Sequence, residues 1–447
     1  MSENITRRNF VKKTAMGGVA LSATLGFNAK SYARILGAND RVNCAMLGAY
    51  RRFGALGPSV SKCEDAGMIY ISDVDSRRME KGAAMVNKLT GTTPKQEKDL
   101  RKIIEDKDVD AVFVAIPDHW HAAATWMALE AGKHVYVEKP CSHNPRESEI
   151  LIALQQKYGK VVQMGNQQRS APESQEIIAE IHGGAIGNVY LAKAFYSSGR
   201  GRVDDAKKVP VPDYLDWELF QGPAPRTDYI DIIGDYNWHW FWNWGTGETG
   251  NNATHELDVA RWALQVEYPE VVYVNAGKRH FKDDPWVMYD TMDATFEFAG
   301  DKTIMWDGKS RNSLNTYGSD RGTVIYGSEG SVFVNRSGYK LYDRAGRLVR
   351  ERNSKGEEGS TGLGGGGDMT TLHVQNFFDA IRGKAAQNST IREGALSTNL
   401  SHYANISYRA GNMRLAINPL NGRLVNKKLH KLYWGRTYEP GWEPPQI

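Results

Sequence analysis

Five short apolar runs fall between residues 42 and 164, and each stops at a residue that ends strands. The runs 42–47, 68–72, 111–116, 134–137 and 161–164 are followed by Gly48, Asp73, Pro117, Glu138-Lys139-Pro140 and Gly165. Helix-length segments separate them. The clearest runs from 121 to 130, with Asp118 placed to cap its start and Gly132 to close its end. Runs this short and this uniformly apolar read as strands buried on both faces, and their alternation with helices implies a parallel sheet. The sequence therefore predicts an α/β chain whose first domain, over 40–163, is doubly wound. Ligands of such sheets bind at the carboxyl ends of the strands, so Gly48, Asp73, Pro117 and Lys139 should converge.

Beyond Gly165 the pattern changes. Strand-like alternation appears in 291–298 and 324–326, and a hairpin is expected over 330–343 with its turn near Arg336-Ser337-Gly338. A glycine-rich loop over 356–367 precedes a helix near 373–381, and residues 164–447 form a second α/β domain. With 41% hydrophobic residues, 12 Trp and 21 Tyr, both domains have core to bury. Three cysteines cannot build a disulfide framework, so Cys44, Cys63 and Cys141 are expected as buried thiols.

The net charge of +4 comes from the N-terminus. Residues 1–33 hold Arg7, Arg8, Lys12, Lys13 and Lys30 against Glu3, and the rest of the chain has as many acids as bases. No basic field supports nucleic-acid binding. Thr6-Arg7-Arg8-Asn9-Phe10-Val11-Lys12, an apolar run over 15–27 and Ser31-Tyr32-Ala33 together resemble a twin-arginine export signal. The run is too short for a stable membrane span, which needs about 20 residues. The expected location is the periplasm or beyond, with the export machinery as partner.

The turn after the first strand reads Gly48-Ala49-Tyr50-Arg51-Arg52-Phe53. It places Tyr50 and Phe53 where a dinucleotide-binding turn has its second and third glycines. Arg51 and Arg52 offer charge to phosphate, and Asp73, 25 residues after Gly48, stands near the spacing of a ribose-binding carboxylate. Two longer stretches, Pro117-Asp118-His119-Trp120-His121 and Ala131-Gly132-Lys133-His134-Val135-Tyr136-Val137-Glu138-Lys139-Pro140, resemble the Gfo/Idh/MocA oxidoreductases. The likeness continues through 163–169, 184–187, 250–258, 326–330 and 376–382. It implies a Rossmann domain followed by an α/β domain with a large open, mainly antiparallel sheet.

The resemblance also implies roles. Lys139 and His255 become an acid/base pair, with Asn251 standing where the family carries an Asp four residues before the His. Gly48, Tyr50, Arg51, Arg52, Phe53, Asp73, Pro117, His119, His121, Glu138 and Lys139 are expected around the cofactor. Arg169, Trp240, Asn251 and His255 are expected around the substrate. Asp258 either orients His255 or serves packing, and the aromatic run 237–244 is either a sugar platform or buried structure. His119 and His121 lack spaced carboxylate or Cys partners, so no metal site is expected.

The leading expectation is an exported oxidoreductase with tightly bound NAD, acting on a carbinol of a sugar, polyol or glycoside. Asp73 favours NAD, while Arg77 and Arg78 leave NADP open. One alternative is a glycosidase that uses bound NAD by oxidation and elimination. Another is a non-catalytic sugar-binding protein, suggested by Tyr50, Phe53 and Asn251. A homo-oligomer is expected, because an open sheet face needs covering.

Overall fold

Five strands follow the apolar runs closely, β1 (Val42–Leu47), β2 (Ala66–Ser72), β4 (Ala111–Val114), β5 (His134–Val137) and β6 (Val162–Met164), and a short exposed strand that no apolar run marks, β3 (Lys95–Gln96), joins them. The computed structural model describes residues 41–354 and 369–447. The export signal read over 1–33 and the glycine-rich loop read over 356–367 lie outside these residues. The strands form one parallel sheet in the order β3-β2-β1-β4-β5-β6, the order of a dinucleotide-binding doubly wound domain. β4 ends two residues before the apolar run does, because Pro117 cannot continue the ladder.

Helices α1 (Phe53–Lys62), α2 (Ser76–Thr90) and α3 (Asp118–Glu130) lie between these strands. The last begins three residues earlier than the apolar pattern suggests. Its N-cap is Pro117 with no side-chain cap; the Asp118 carboxylate instead accepts bonds from the Thr246 amide (3.2 Å) and hydroxyl (2.5 Å). Gly132 follows the helix at φ +75, the left-handed conformation that closes a helix.

With β8 (Val271–Gly277), β12 (Arg321–Gly327), β15 (Leu348–Asn353), β16 (Leu415–Ala416) and the strands named below, the second sheet runs β15-β14-β13-β12-β7-β10-β9-β8-β16. Its centre is β7 (Val189–Gly199), parallel to β10 (Lys302–Lys309) and antiparallel to β12, while β10 pairs antiparallel with β9. β9 (Thr291–Phe298) alternates as its sequence does, burying Met292, Ala294, Phe296 and Phe298. The hairpin of β13 (Gly330–Asn335) and β14 (Gly338–Asp343) turns at Arg336-Ser337. Gly338 is required there: at φ +137, a Cβ would stand 2.0 Å from the Arg352 carbonyl oxygen.

Two late helices return to the first domain. α4 (Met369–Ile381) sets Phe377 against Phe113 with ring centres 5.5 Å apart, and Phe113 stacks on Tyr136 at 5.1 Å. α5 (Ile391–Arg409) is buried almost throughout, and its polar side chains find partners inside: Ser397 donates to Asp258 (2.6 Å) and Asn405 to the Thr246 carbonyl (2.7 Å). No described helix is long and apolar enough to cross a membrane. Cys44, Cys63 and Cys141 are buried free thiols.

Candidate active site

The carboxyl ends of β1, β2, β4 and β5 open onto one groove, and Gly48, Asp73, Pro117 and Lys139 all line it. The turn after β1 is built for close approach. Gly48 sits at φ +100, and a Cβ on it would meet the Ala115 carbonyl oxygen at 2.3 Å. α1 then starts at Phe53 with no side-chain cap and no acid in its first turn. The Gly54 and Ala55 amides turn back to the Arg51 and Arg52 carbonyls (3.3 and 3.1 Å), and the helix dipole favours an anion at this end.

Tyr50 fits this turn because its side chain leaves it. Its hydroxyl reaches Asp235, and the Arg78 guanidinium lies over its ring at 3.8 Å. Phe53 turns the other way, into the core against Gly57 and Gly82, and is 2% exposed. Arg51 joins Asp235 at 3.2 Å. Arg52 donates to Glu138 at 2.7 Å, so both are braced against each other at the groove wall. Asp73 accepts the Ala49 and Asp75 amides, each at 2.9 Å, and burial holds its carboxyl above the usual range. Arg77 pairs with Asp75 at 2.8 Å and lies over Tyr214, while Arg78 donates to the Gly234 carbonyl at 2.7 Å.

Asp235 belongs to a strap, residues 200–244, that crosses the groove from the second half of the chain. It is stitched to the end of β2 by Ser76 to the Tyr214 carbonyl and Asp216 to the Val74 carbonyl, both 2.9 Å. A satellite core of Trp217, Phe220, Tyr229, Ile233 and Trp244 gives it rigidity.

Lys139 stands just past β5. Its Nζ donates to the Asn251 carbonyl at 2.5 Å, and burial pushes its pKa down to about 8, with the Asp118 carboxylate opposing the fall. Asn251 lies in a π-helical turn, Thr249–Ala253, which feeds the helix Thr254–Leu264. Such turns are frequent at functional sites. The Asn251 side chain accepts from Tyr236 (3.1 Å) and donates to Glu248 (3.2 Å). His255, 9% exposed, lies within reach of the Lys139 charge; burial and the Arg336 charge hold it neutral, well below the usual His range.

His239 was not singled out by the sequence, yet it lines the groove. Its Nδ1 donates to the Tyr236 carbonyl at 2.7 Å, leaving Nε2 as an acceptor, and burial keeps the ring neutral. His121 lines the same wall, with Nδ1 2.7 Å from the Pro140 carbonyl and Nε2 2.6 Å from the Ile116 carbonyl.

Phe53 and His255 are not among the residues that line the groove, and three further expected residues stand elsewhere. His119 is fully buried, its Nε2 on the Phe220 carbonyl at 2.8 Å. Arg169 is taken up by a bidentate pair with Asp258 (2.8 and 2.9 Å), which also settles Asp258 as a packing partner of Arg169 and Ser397. Trp240 is 1% exposed and stacks on Trp286 at 3.8 Å, so its faces are closed to any ligand. The run 237–244 is a 3₁₀ turn entering a core rather than a strand or an open platform, and from it Trp238 and His239 reach the groove. No group of three or more His, Cys, Asp or Glu side chains that could hold a metal occurs among the described residues.

Comparison with known proteins agrees with this architecture. Residues 42–166 match the oxidoreductase family with an NAD-binding Rossmann fold, and residues 218–333 match the GFO/IDH/MocA C-terminal domain. The oxidoreductase YrbE of Bacillus subtilis (strain 168) is 26% identical over 239 residues, 54% of this chain and 59% of that protein. The scyllo-inositol 2-dehydrogenase (NAD(+)) of the same strain is 23% identical over 300 residues, 66% of this chain and 74% of the relative. A levoglucosan dehydrogenase solved with NADH and levoglucosan superposes with a TM-score of 0.63 at 20% identity, over 84% of this chain and 99% of that one. The glycine turn, the groove at the strand ends, the Glu138-Lys139-Pro140 corner and both domain matches thus lead to one assignment: this chain belongs to the Gfo/Idh/MocA family of NAD-dependent oxidoreductases.

Proposed function

We propose that this protein oxidises or reduces a carbinol of a sugar, polyol or glycoside, with Lys139 as the group that moves the hydroxyl proton. The observation that carries the reading is the state of Lys139. It lies at the strand-end groove, is directed by the Asn251 carbonyl, and is held by burial at a pKa of about 8, where both protonation states are populated near neutrality. The groove suits a dinucleotide. The Gly48 turn leaves no room for a Cβ, and the start of α1 turns the positive end of its dipole, with no acid in the first turn, toward the pyrophosphate. Asp73 has lone pairs left for the adenosine ribose, and Pro117 and His121 would border the nicotinamide. NAD supplies the acceptor for the carbinol hydrogen when bound.

In that arrangement Lys139 takes the hydroxyl proton during oxidation and returns it during reduction. Neutral His239 and His255 serve as hydrogen-bonding groups that orient the substrate oxygens, since burial makes them poor proton acceptors. NAD is favoured over NADP, because Arg77 and Arg78 are already engaged with Asp75, Tyr214 and Gly234. Tight retention is part of the same reading, since the strap is tied down across the groove through Tyr50, Arg51 and Asp235. A retained cofactor also suits the second reading, a glycosidase cycle of oxidation, elimination, hydration and re-reduction. We read the N-terminus as an export address and the outward face of the second sheet, with Tyr273 and Met305 exposed, as the surface of a homo-oligomer.

Mass spectrometry of the purified protein for bound dinucleotide, followed by single-turnover reduction with a sugar and glycoside panel, tests the reading. Bound NAD reduced by at least one substrate supports it. Release of sugar from aryl glycosides with no net reduction selects the glycosidase cycle. Absence of dinucleotide and of turnover would leave a sugar-binding protein.

A further inference from the structure

The tip of the β13–β14 hairpin carries Arg336, and the bonds that fix this tip do not use the guanidinium. The Asn335 carbonyl accepts from Gln168 at 3.0 Å, and its side-chain oxygen accepts the Ser337 amide at 2.8 Å. Gln168 belongs to the turn Gln167–Ser170 after β6, and Gln167 donates to Glu138 at 2.9 Å, one residue before Lys139. The hairpin is thereby docked beside the Glu138-Lys139-Pro140 corner, far from it in sequence.

Arg336 is partly buried and makes no hydrogen bond or ion pair among the described residues. The acids around it already have cations. Glu138 pairs with Arg52 at 2.7 Å, and Glu256 pairs with Arg321 at 2.8 Å. Asp118 is bonded to Thr246 and faces the Lys139 charge. Arg336 is the leading charge acting on His255 and also acts on Lys139; on Arg336 itself the Arg321 charge is opposed by Glu256, which Arg321 already holds in an ion pair, and Arg52 adds to the repulsion. Burial disfavours its cationic form, and among the described residues no acid bonds the guanidinium directly, so the folded protein holds a cation without an ion-pair partner of its own. Such a charge is costly unless its partner arrives with a ligand. A guanidinium presents a planar fork of donors that matches carboxylate, phosphate and sulfate oxygens.

We propose that Arg336 binds an anionic group on the substrate, so that the preferred substrates are acidic sugars rather than neutral ones. The proposal rests on the oxidoreductase reading for the site and adds its substrate class. Carboxylate, phosphate and sulfate share the chemistry Arg336 recognises.

The experiment uses the full-length protein with its bound cofactor and paired sugars: glucose, glucuronate, glucose 6-phosphate and glucose 6-sulfate, with the galactose counterparts. At least one anionic member should exceed its neutral twin in kcat/KM by about 10- to 100-fold, the range of a hydrogen bond to a charged group. R336Q should remove that preference chiefly through KM, and R336K should restore part of it as a point charge. The member of the panel that gains most identifies the anion. Equal kcat/KM for neutral and anionic twins, unchanged in R336Q, overturns the proposal. So does loss of cofactor binding in R336Q with an unchanged sugar preference, which would assign the guanidinium to the cofactor phosphates. Calorimetric titration of the same anionic sugars decides the anion site independently of turnover. If no sugar reduces the cofactor, the oxidoreductase reading fails; binding that R336Q abolishes still upholds the anion site, and binding that R336Q leaves unchanged, or none at all, overturns it.

Discussion

The most direct consequence of the groove is a pH profile set by Lys139. An ordinary lysine at pH 7 is neutral in only about one molecule in three thousand. Burial brings the Lys139 pKa to about 8, which at pH 7 leaves about one molecule in eleven neutral and ready to accept a proton. The gain in competent protein is therefore on the order of 300-fold. In single-turnover oxidation of a saturating substrate, the rate should rise about tenfold per pH unit below 8 and level off above it. The reverse reaction, in which Lys139 gives the proton, should decline through the same pH. Lys139→Ala should cost about 10²–10⁴-fold and flatten the profile. Lys139→Arg should fail as well, since a guanidinium stays charged throughout. Asp118 is the charge that most favours protonated Lys139, so Asp118→Asn should move the inflection to lower pH. A wild-type profile without an inflection between pH 7 and 9, or the same inflection persisting in Lys139→Ala, would refute the assignment.

The other expectations are more local. Gly48→Ala forces an L side chain to φ +100 and into the Ala115 carbonyl, so bound dinucleotide should be lost while the rest of the fold persists by circular dichroism; the left-handed backbone alone costs about 1–2 kcal/mol. Asp73→Ala should weaken NAD binding by about 1–3 kcal/mol in a titration of the stripped protein, and unchanged affinity would remove its ribose role. Tyr50→Phe combined with Asp235→Ala should speed exchange of bound dinucleotide against labelled NAD, and an unchanged exchange rate would mean that the strap does not hold the cofactor. Replacing Arg7 and Arg8 by Lys should keep the protein in the cytoplasm, which fractionation and immunoblotting would show.

The first domain was legible because its signals are local. A parallel strand buried on both faces reads as an apolar run, and Gly48, Asp73, Pro117 and Gly165 each mark where one stops. The β13–β14 hairpin was legible for the same reason, since its turn needs a glycine at Gly338. α5 was not, because almost every side of it is buried and its many serines, threonines and asparagines bond inside the protein, so no apolar stripe shows. Asp118 misled in a specific way: one turn from the expected helix start it looks like a cap, but the Thr246 amide and hydroxyl, 128 residues later, claim its carboxylate.

The site divides along the same line. Gly48, Asp73 and Lys139 follow from strand ends, where the fold leaves little freedom, and the structure gathers them on one groove. Arg169 and Trp240 carry groups that suit a sugar, but chemistry alone does not say which way a side chain points. Asp258 and Trp286 capture them from other elements, and a bidentate ion pair or a stacked indole pair outcompetes an open groove. What completes the centre comes from distant segments: the Asn251 carbonyl on Lys139, Thr246 on Asp118 and His239 from a 3₁₀ turn. None of these is a motif. The basicity of Lys139 is accordingly a property of the junction between the two sheets, and neither half of the chain alone would hold that amine buried against a carbonyl and a carboxylate.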